Sequence, residues 1–176
     1  GLAPPAAGDR AGAVGLYARR TQRGRAGLPD SSLSLNEALY NRATHPPPGL
    51  SSIDRASDLE RVIAATERDS SERARALTAS ACHNLAVLRE QAGDVSASRD
   101  LYVRALDLRQ SQLGTDHPRL RPTLVRLAQL EHAAGRTLLA LSLYERALLL
   151  ARAELGPDHR EVVALERWRA DLIGEG

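Results

Sequence analysis

Apolar residues recur through most of this chain at intervals of three and four positions, the spacing that places them on one side of an α-helix. From Glu72 onward the pattern continues almost to the end, and glycines interrupt it four times. These glycines are Gly93, Gly114, Gly135 and Gly156. Because a glycine directly after the last apolar turn is typical of a helix end, the pattern predicts four helices over 72–156 and a last one over 159–173.

The segment before Glu72 shows a weaker version of the same pattern. The stretch SSLSLNEALYNRA (31–43) predicts a short helix with Ser34 as its N-cap, since Glu37 follows at the spacing of a capping box. Three consecutive prolines then end that helix. A second helix follows, with four apolar residues on one side, namely Ile53, Leu59, Val62 and Ile63. The segment 31–71 is therefore predicted to be a degenerate helical pair.

Two stretches of the chain repeat each other at a distance of 42 residues. Residues 85–118 and 127–160 are identical at 15 of 34 aligned positions. The matching stretches include LYVRALDLRQSQLGTDHP, from Leu101, and LYERALLLARAELGPDHR, from Leu143. Most of the identities are apolar residues or helix-ending glycines. This is typical of a solenoid in which each helix pair buries its apolar face on the next pair.

These repeats resemble the tetratricopeptide repeat (TPR) family. The stretches NLAVLREQAGDVSASRDLYVRALDL and RLAQLEHAAGRTLLALSLYERALLL carry the resemblance, and the 42-residue period with its LGTDHP or LGPDHR connector is similar to kinesin light chains. The resemblance covers about 80–175 and implies an all-α fold, a short right-handed solenoid of antiparallel helix pairs over 72–175. Its repeats would span about 80–116 and 122–158, with a capping helix over 159–173.

Three residues depart from the family pattern. Ser98 stands where the family has a small alanine, and Arg89 and Glu131 stand where it usually has an aromatic residue. The chain as a whole has only 3% aromatic residues, so its core must be built mainly from Leu, Ala and Val.

The family binds peptides in a groove lined by the first helix of each repeat, and the resemblance places five residues of this chain there. Asn84, Arg126 and Trp168 occupy equivalent positions, because they follow one another at intervals of 42 residues. Val87 and Gln129 lie three residues further along their helices, on the same face. The resemblance implies that Asn84 bonds a ligand backbone and that Arg126 pairs with a carboxylate. The alternatives are a solvated helix face for Asn84 and Arg126, and a sealing role at the end of the core for Trp168.

Residues 1–30 differ in composition from the rest of the chain. They are rich in Ala, Gly, Pro and Arg and have few large apolar side chains, which predicts an extended basic arm that becomes ordered only on another surface. We expect its five arginines to contact a partner; they are Arg10, Arg19, Arg20, Arg23 and Arg25. That partner is a protein surface or, alternatively, RNA, whose phosphates the arginines would neutralise. An Arg-rich, Met-free N-terminus favours a mitochondrial location, with the cytoplasm as the alternative.

Catalytic chemistry finds no support in the sequence. An enzyme needs acids, bases or nucleophiles that converge, whereas Cys82 and His83 are neighbours on a helix and point about 100° apart. His117 and His159 occupy equivalent connectors, where capping and loop packing explain them. Glycine-rich phosphate loops and zinc-ligand pairs are absent from the sequence, as is any apolar run of the roughly 20 residues that a membrane span needs. We therefore expect no enzyme activity, no cofactor and no metal.

The sequence predicts a non-catalytic protein–protein interaction module, most simply a structural or scaffold subunit of a larger multiprotein assembly. A short array of repeats and a basic arm without a core both suit a chain whose surfaces are covered by neighbouring subunits. The alternative is a reversible peptide-binding adaptor of cargo or chaperone type, as the kinesin light chain resemblance implies. A free groove predicts that Asn84 and Arg126 are exposed, whereas a subunit predicts that the arm and one solenoid face are covered.

Overall fold

The computed structural model describes residues 31–174, and this part of the chain forms seven α-helices and no β-strand. The helices are α1 (Ser31–Thr44), α2 (Ser52–Thr66), α3 (Glu72–Gln91), α4 (Val95–Leu113), α5 (Arg121–Ala133), α6 (Thr137–Leu155) and α7 (Arg160–Gly174). A 3₁₀ turn at Pro118–Leu120 leads into α5. The all-α fold class predicted from the apolar periodicity is confirmed.

The helices pack as consecutive antiparallel pairs, α1–α2, α3–α4 and α5–α6, and each pair stacks on the next. Helix α2 packs on α3, α4 on α5, and α6 on α7. The second helices of the pairs begin at Ser52, Val95 and Thr137, so α1–α2 follows nearly the same register as the two clear repeats. Helix α1 is shorter than α3 because prolines follow it directly. The predicted solenoid of helix pairs is confirmed.

Polar side chains cap the starts of three helices. The side-chain oxygens of Ser51, Ser71 and Asp94 each accept a hydrogen bond from the backbone N–H three residues further on, at the starts of α2, α3 and α4. The prediction that Ser34 caps α1 is wrong, because α1 already begins at Ser31 and Ser34 lies inside the helix.

The two histidines of the equivalent connectors also act as caps. The Nδ1 atom of His117 accepts a hydrogen bond of 3.1 Å from the backbone N–H of Arg119, at the 3₁₀ turn. The Nδ1 atom of His159 accepts one of 3.3 Å from the backbone N–H of Glu161, at the start of α7. Since both imidazoles bond the backbone of their own connector, their recurrence in the sequence belongs to the architecture of the repeat.

The core consists of two apolar clusters that meet at α3 and α4. The larger cluster joins α3 to α7 and is built from Leu, Ala and Val with two tyrosines. The smaller cluster joins α1 to α4. The predicted apolar side of α2 is right for Leu59, Val62 and Ile63, which are buried. It is wrong for Ile53, which lies in the first turn of α2 and is 79% exposed.

None of the helices within residues 31–174 is both long and apolar enough to cross a bilayer. The predicted basic arm and its five arginines lie outside the described residues. The division of the chain at residues 30 and 71 therefore stays a prediction.

Candidate functional site

The predicted groove residues lie on the first helix of each pair, in the register that the repeat implies. Asn84 is on α3, Arg126 on α5 and Trp168 on α7, and the equivalent position of α1 holds Arg42. The guanidinium of Arg42 binds Asp58 of α2 through two hydrogen bonds, including one of 2.6 Å from Nε to Oδ2. This hydrogen bonding raises the pKa of Arg42 and commits its side chain to the contact between α1 and α2.

Asn84 is half-buried, and two neighbouring residues hold its side chain in place. Its amide Nδ2 donates to the hydroxyl of Tyr40 at 2.9 Å and to the carbonyl oxygen of Ser80 at 3.1 Å. Both bonds use the N–H₂ group, which leaves the side-chain carbonyl oxygen to accept from a partner. The side chain is therefore fixed in orientation, as a residue that bonds a peptide backbone needs to be.

Arg126 is one of two predicted groove residues that are exposed, the other being Trp168. The side chain of Arg126 is 45% exposed, and its Nη1 atom lies 3.7 Å from the Glu90 carboxylate. The hydroxyl of Tyr102 donates to the other oxygen of that carboxylate at 3.0 Å. Gln129, one turn further along α5, is half-buried. Among residues 31–174, the charged partner of Arg126 is thus the Glu90 carboxylate at 3.7 Å, which Tyr102 already engages.

Trp168 lies at the other end of the row. The residue is 38% exposed, and its ring packs against Tyr144 with ring centroids 5.8 Å apart. Val87 is half-buried and packs against the larger core cluster. Within residues 31–174, no hydrogen bond or ring contact joins Asn84, Arg126 and Trp168 to one another. They follow one another along the solenoid and do not converge on one point.

A cleft of about 400 Å³ opens beside Asn84, where α1, α3, the end of α4 and the entry to α5 meet. We call it the cationic cleft. Its lining residues are Tyr40, Ala76, Ser80, His83, Asn84, Arg109, Gln112, Leu113, Arg119 and Pro122. Of the five predicted groove residues, only Asn84 lines this cleft. The lining includes two arginines and no acidic residue among the residues that the structure describes.

Two lining residues of the cationic cleft meet on a buried threonine. The hydroxyl of Thr123, in the first turn of α5, accepts a hydrogen bond of 2.6 Å from Arg109 Nη1 and lies 3.0 Å from His83 Nδ1. Burial, with the positive charges of Arg109 and Arg126, lowers the pKa of His83 to about 4. The imidazole is therefore neutral at pH 7. Burial also lowers the pKa of Arg109, whose guanidinium nevertheless stays charged.

The sequence predictions missed His83, Arg109 and Thr123 as members of a site. The repeat contains a signal that identifies them. At a distance of 42 residues, His83 corresponds to Val125, Arg109 to Ala151 and Thr123 to Leu165. Ala151 and Leu165 are fully buried core residues. Two positions of the first repeat and one of the second therefore hold a polar side chain where the next unit has an apolar one, and the fold brings all three together.

The cysteine and histidine beside the cleft do not form a nucleophile–base pair. Burial raises the pKa of Cys82 to about 11, so its thiol is protonated at pH 7, and the neighbouring imidazole bonds to Thr123. Among residues 31–174, no group of three His, Cys, Asp or Glu side chains is placed to hold a metal ion. What the cleft offers is a set of hydrogen-bond donors, two of which are positively charged.

Residues 77–148 match the family model described as Tetratricopeptide repeat, which confirms the resemblance seen in the sequence. Repeats of this family bind other proteins through the surfaces that their stacking creates, so the chain contains a protein–protein interaction module. The fold and the family are generally non-catalytic. No curated protein sequence matches the chain.

Solved structures with the same fold include BtubC (BKLC) from P. vanneervenii, at a TM-score of 0.76 and 18% identity over 95% of this chain. They also include the TPR-like repeats of a candidate kinesin light chain from Podosopora anserina, at a TM-score of 0.60 and 18% identity over 79% of this chain. A point variant of the latter gives a TM-score of 0.62 and 17% identity over 82% of this chain. At these identities the likeness shows the fold. The chain spans 66%, 64% and 68% of the three structures.

Proposed function

We propose that this chain, whose residues 77–148 are tetratricopeptide repeats, is a structural subunit of a larger protein assembly. Repeats of this kind act through contact between proteins, and a partner can cover either of two surfaces of the chain. The two surfaces at issue are the outer side of the solenoid, which a permanent neighbour would cover, and the row of groove residues, which a peptide would occupy.

The observation that supports a subunit is a pair of exposed leucines on α6. Leu138 is 84% exposed and Leu149 is 65% exposed. They are eleven residues apart, about three helical turns, so they lie on the same side of the helix. The equivalent residues of α4 are Ser96 and Asp107, which are polar. Large apolar side chains at solvent positions of one repeat, where the other repeat has polar ones, support a contact surface on this side of α6.

Helix α7 adds a second uncovered face. In α3 and α5, the residues Ala86 and Ala128 are fully buried beneath the paired helices α4 and α6. The equivalent residue of α7, Ala170, is exposed, and Val163 and Ile173 are exposed on the same helix. Within residues 31–174, no second helix packs on this face of α7.

The alternative function is a reversible peptide-binding adaptor. It is favoured by Arg126, which has a long contact to one carboxylate, and by the side-chain oxygen of Asn84, to which no described residue donates. Contact with RNA, and a mitochondrial rather than a cytoplasmic location, depend on residues 1–30 and stay predictions.

One experiment separates the two functions. The tagged chain is expressed in cells of its natural source, recovered gently, and sized by chromatography with light scattering, as the wild type and as two variants. The first variant is Leu138→Ser with Leu149→Asp, which copies the residues of α4 and should therefore fold. The second variant is Arg126→Ala. Circular dichroism of each purified chain serves as the folding control.

A subunit predicts that the wild type and Arg126→Ala are recovered in one large complex of defined mass, and that the double variant is recovered as a free chain. An adaptor predicts the reverse, with loss of partners from Arg126→Ala alone. A wild-type chain recovered only as a monomer would contradict the proposed subunit.

A further inference from the structure

The positive charge of the cationic cleft is not neutralised by acidic residues in its lining. Arg109 and Arg119 both line it, and the positive charge of Arg119 opposes that of Arg109. The lining contains no carboxylate among the described residues, and the imidazole of His83 is neutral at pH 7. Arg109 is half-buried, so a guanidinium without a negative partner at this position costs stability. The cleft therefore favours an anion.

The donors of the cleft are also incompletely used. Of the five N–H groups of Arg109, the one that is bonded among residues 31–174 points to Thr123. Arg119 makes no side-chain hydrogen bond to a described residue and is exposed. The hydroxyl of Tyr40 accepts from Asn84, which leaves its own proton to donate. Two guanidinium groups and one hydroxyl thus remain for a group with several acceptor oxygens.

We propose that the cationic cleft binds a phosphoryl group carried by a partner polypeptide. A carboxylate brings one negative charge and two oxygens, whereas a phosphorylated side chain brings a charge near −2 and three acceptor oxygens. The phosphoryl group therefore matches two arginines and a tyrosine hydroxyl, and paired N–H donors of arginine suit its oxygens. Ala76, Leu113 and Pro122 supply apolar lining for the carbon atoms next to the phosphate. A cleft of about 400 Å³ admits such a side chain with its flanking backbone.

Three residues that depart from the repeat support this assignment. Arg109 replaces the buried alanine of the second repeat, and His83 and Thr123 replace apolar residues. Thr123 fixes the guanidinium of Arg109 by the hydrogen bond of 2.6 Å, so the donors facing the cleft are held in one orientation. Arg109 is half-buried where the second repeat has a core alanine, and a buried hydroxyl holds its guanidinium, an arrangement that suits a ligand. The proposal uses none of the exposed leucines of α6, so it stands or fails separately from the proposed subunit role.

The first test is a titration of the whole chain with inorganic phosphate and with acetate at pH 7.5, followed by the Nε–H NMR signals of arginine and the side-chain amide signals of Asn84. Phosphate is expected to bind about tenfold more tightly than acetate and to shift the signals of Arg109. Arg119→Gln is expected to weaken phosphate binding about tenfold. The matched control is Arg68→Gln, which removes an exposed arginine outside the cleft and should leave the affinity unchanged.

The second test distinguishes a phosphorylated polypeptide from free phosphate. Three degenerate peptide libraries with a fixed central phosphoserine, serine or glutamate are passed over the immobilised chain. Retention of the phosphoserine library by the wild type and by Arg68→Gln, with loss in Arg119→Gln, is the expected result. Equal retention of the glutamate library, equal binding of acetate and phosphate, or binding of inorganic phosphate without retention of phosphoserine peptides would each overturn the proposal.

Arg109→Gln is a further variant, expected to lose phosphate binding. It removes the bond to Thr123, so its fold is checked by thermal unfolding before its binding is interpreted. Because Arg119 is exposed and makes no such bond, Arg119→Gln keeps the proposal testable where Arg109→Gln does not fold.

Discussion

The buried hydroxyl of Ser98 lowers the stability of the folded chain. Its side chain is fully buried in α4, and its hydroxyl has no hydrogen-bond partner among residues 31–174. The equivalent residue of α6 is Ala140, which is also fully buried. Since an unsatisfied buried hydroxyl costs about 1–3 kcal/mol, we expect Ser98→Ala to raise the free energy of unfolding by about 1 kcal/mol. Urea denaturation followed by circular dichroism measures this difference.

The matched control for Ser98→Ala is the reverse change in the other repeat. Ala140→Ser places a hydroxyl at the equivalent buried position and is expected to lower the free energy of unfolding by a similar amount. If Ser98→Ala lowered the stability, the hydroxyl of Ser98 would have a partner in the folded chain, and the reasoning from the repeat would fail.

Glu131 is a buried carboxylate that two arginines neutralise. It is 1% exposed, and it accepts a hydrogen bond of 2.6 Å from Arg99 and another from Arg136. Burial raises the pKa of Glu131, but the hydrogen bonds to the two arginines outweigh it and hold the pKa below its usual value. A carboxyl group whose pKa is lower in the folded chain than in the unfolded chain stabilises the fold at pH values above its unfolded pKa. This stabilisation disappears as the pH falls through the folded pKa.

We therefore expect Glu131→Gln to cost about 2 kcal/mol at pH 7, and this difference from the wild type to shrink toward pH 3. Urea denaturation of both proteins between pH 3 and pH 7 gives the difference at each pH. Glu145→Gln, at an exposed position of α6, is the control and should change stability little at any pH. A difference for Glu131→Gln that stayed constant down to pH 3 would show that the charge of Glu131 does not contribute.

At the scale of the helix, the ends that the sequence predicted best are those that a single residue determines. Helices α4 and α6 end at Leu113 and Leu155, directly before a glycine. The start of α1 is harder to predict from the sequence, because the stretch SSLS contains three serines and each of them is a suitable N-cap. Leu33 is buried in the first turn of α1, so tertiary packing, which the local sequence does not reveal, places the start earlier.

The connectors after α4 and α6 depend on the backbone freedom of glycine. Gly114 and Gly156 both have φ of 84°, with ψ of 169° and 162°, a conformation that residues with a Cβ atom adopt only under strain. We expect Gly114→Ala to lower the free energy of unfolding by about 1–3 kcal/mol, although open space surrounds the added methyl group. Gly174→Ala is the control, since Gly174 ends α7 without a positive φ. Equal effects of the two substitutions in urea denaturation would mean that the connector relaxes without cost.

At the scale of the whole molecule, the repeat made the stack of helices predictable but not the cationic cleft. A period of 42 residues shows that Asn84 and Arg126 are equivalent, and the structure places both on first helices. The cleft instead combines residues from four parts of the stack, among them Tyr40 of α1 and Arg109 of α4. The lengths of the helices and the angles at which they cross determine which residue of a second helix contacts a first helix. The 42-residue period predicts neither the lengths nor the angles.

Ion pairs cross every boundary between stacked units of the described chain. The first boundary is crossed by Arg73–Glu37, Arg89–Glu60 and Arg104–Glu67, the second by Arg99–Glu131 and Arg126–Glu90, and the third by Arg121–Glu161 and Arg152–Glu166. Arg89 and Glu131, which depart from the aromatic residue of the family pattern, therefore connect neighbouring pairs. At this position the first of these pairs carries a positive charge and the second a negative one. Each charge meets an opposite charge on the neighbouring pair, so the ion pairs favour the observed order of the pairs.

Because each helix pair contacts only its neighbours, the stack is expected to open from its ends. The central pairs α3–α4 and α5–α6 have a neighbour on both sides, whereas α1–α2 packs on one described pair. Hydrogen exchange at pH 7 should therefore show slower exchange in α3–α6 than in α1–α2. A buried contact between the hydroxyls of Thr66 and Thr78, 2.7 Å apart, connects α2 to α3 and provides a way to test this order.

Thr78→Val preserves the shape of the side chain and removes this contact. We expect it to speed hydrogen exchange in α1–α2 by about fivefold to tenfold and to leave exchange in α5–α6 unchanged. The lost hydrogen bond contributes about 1 kcal/mol, and it breaks only when α1–α2 separates from α3. Thr137→Val, at the exposed first residue of α6, is the control for a threonine that has no such role. Equal acceleration in every helix would mean that the stack opens as one cooperative unit, with the two core clusters too strongly coupled at α3 and α4 to open separately.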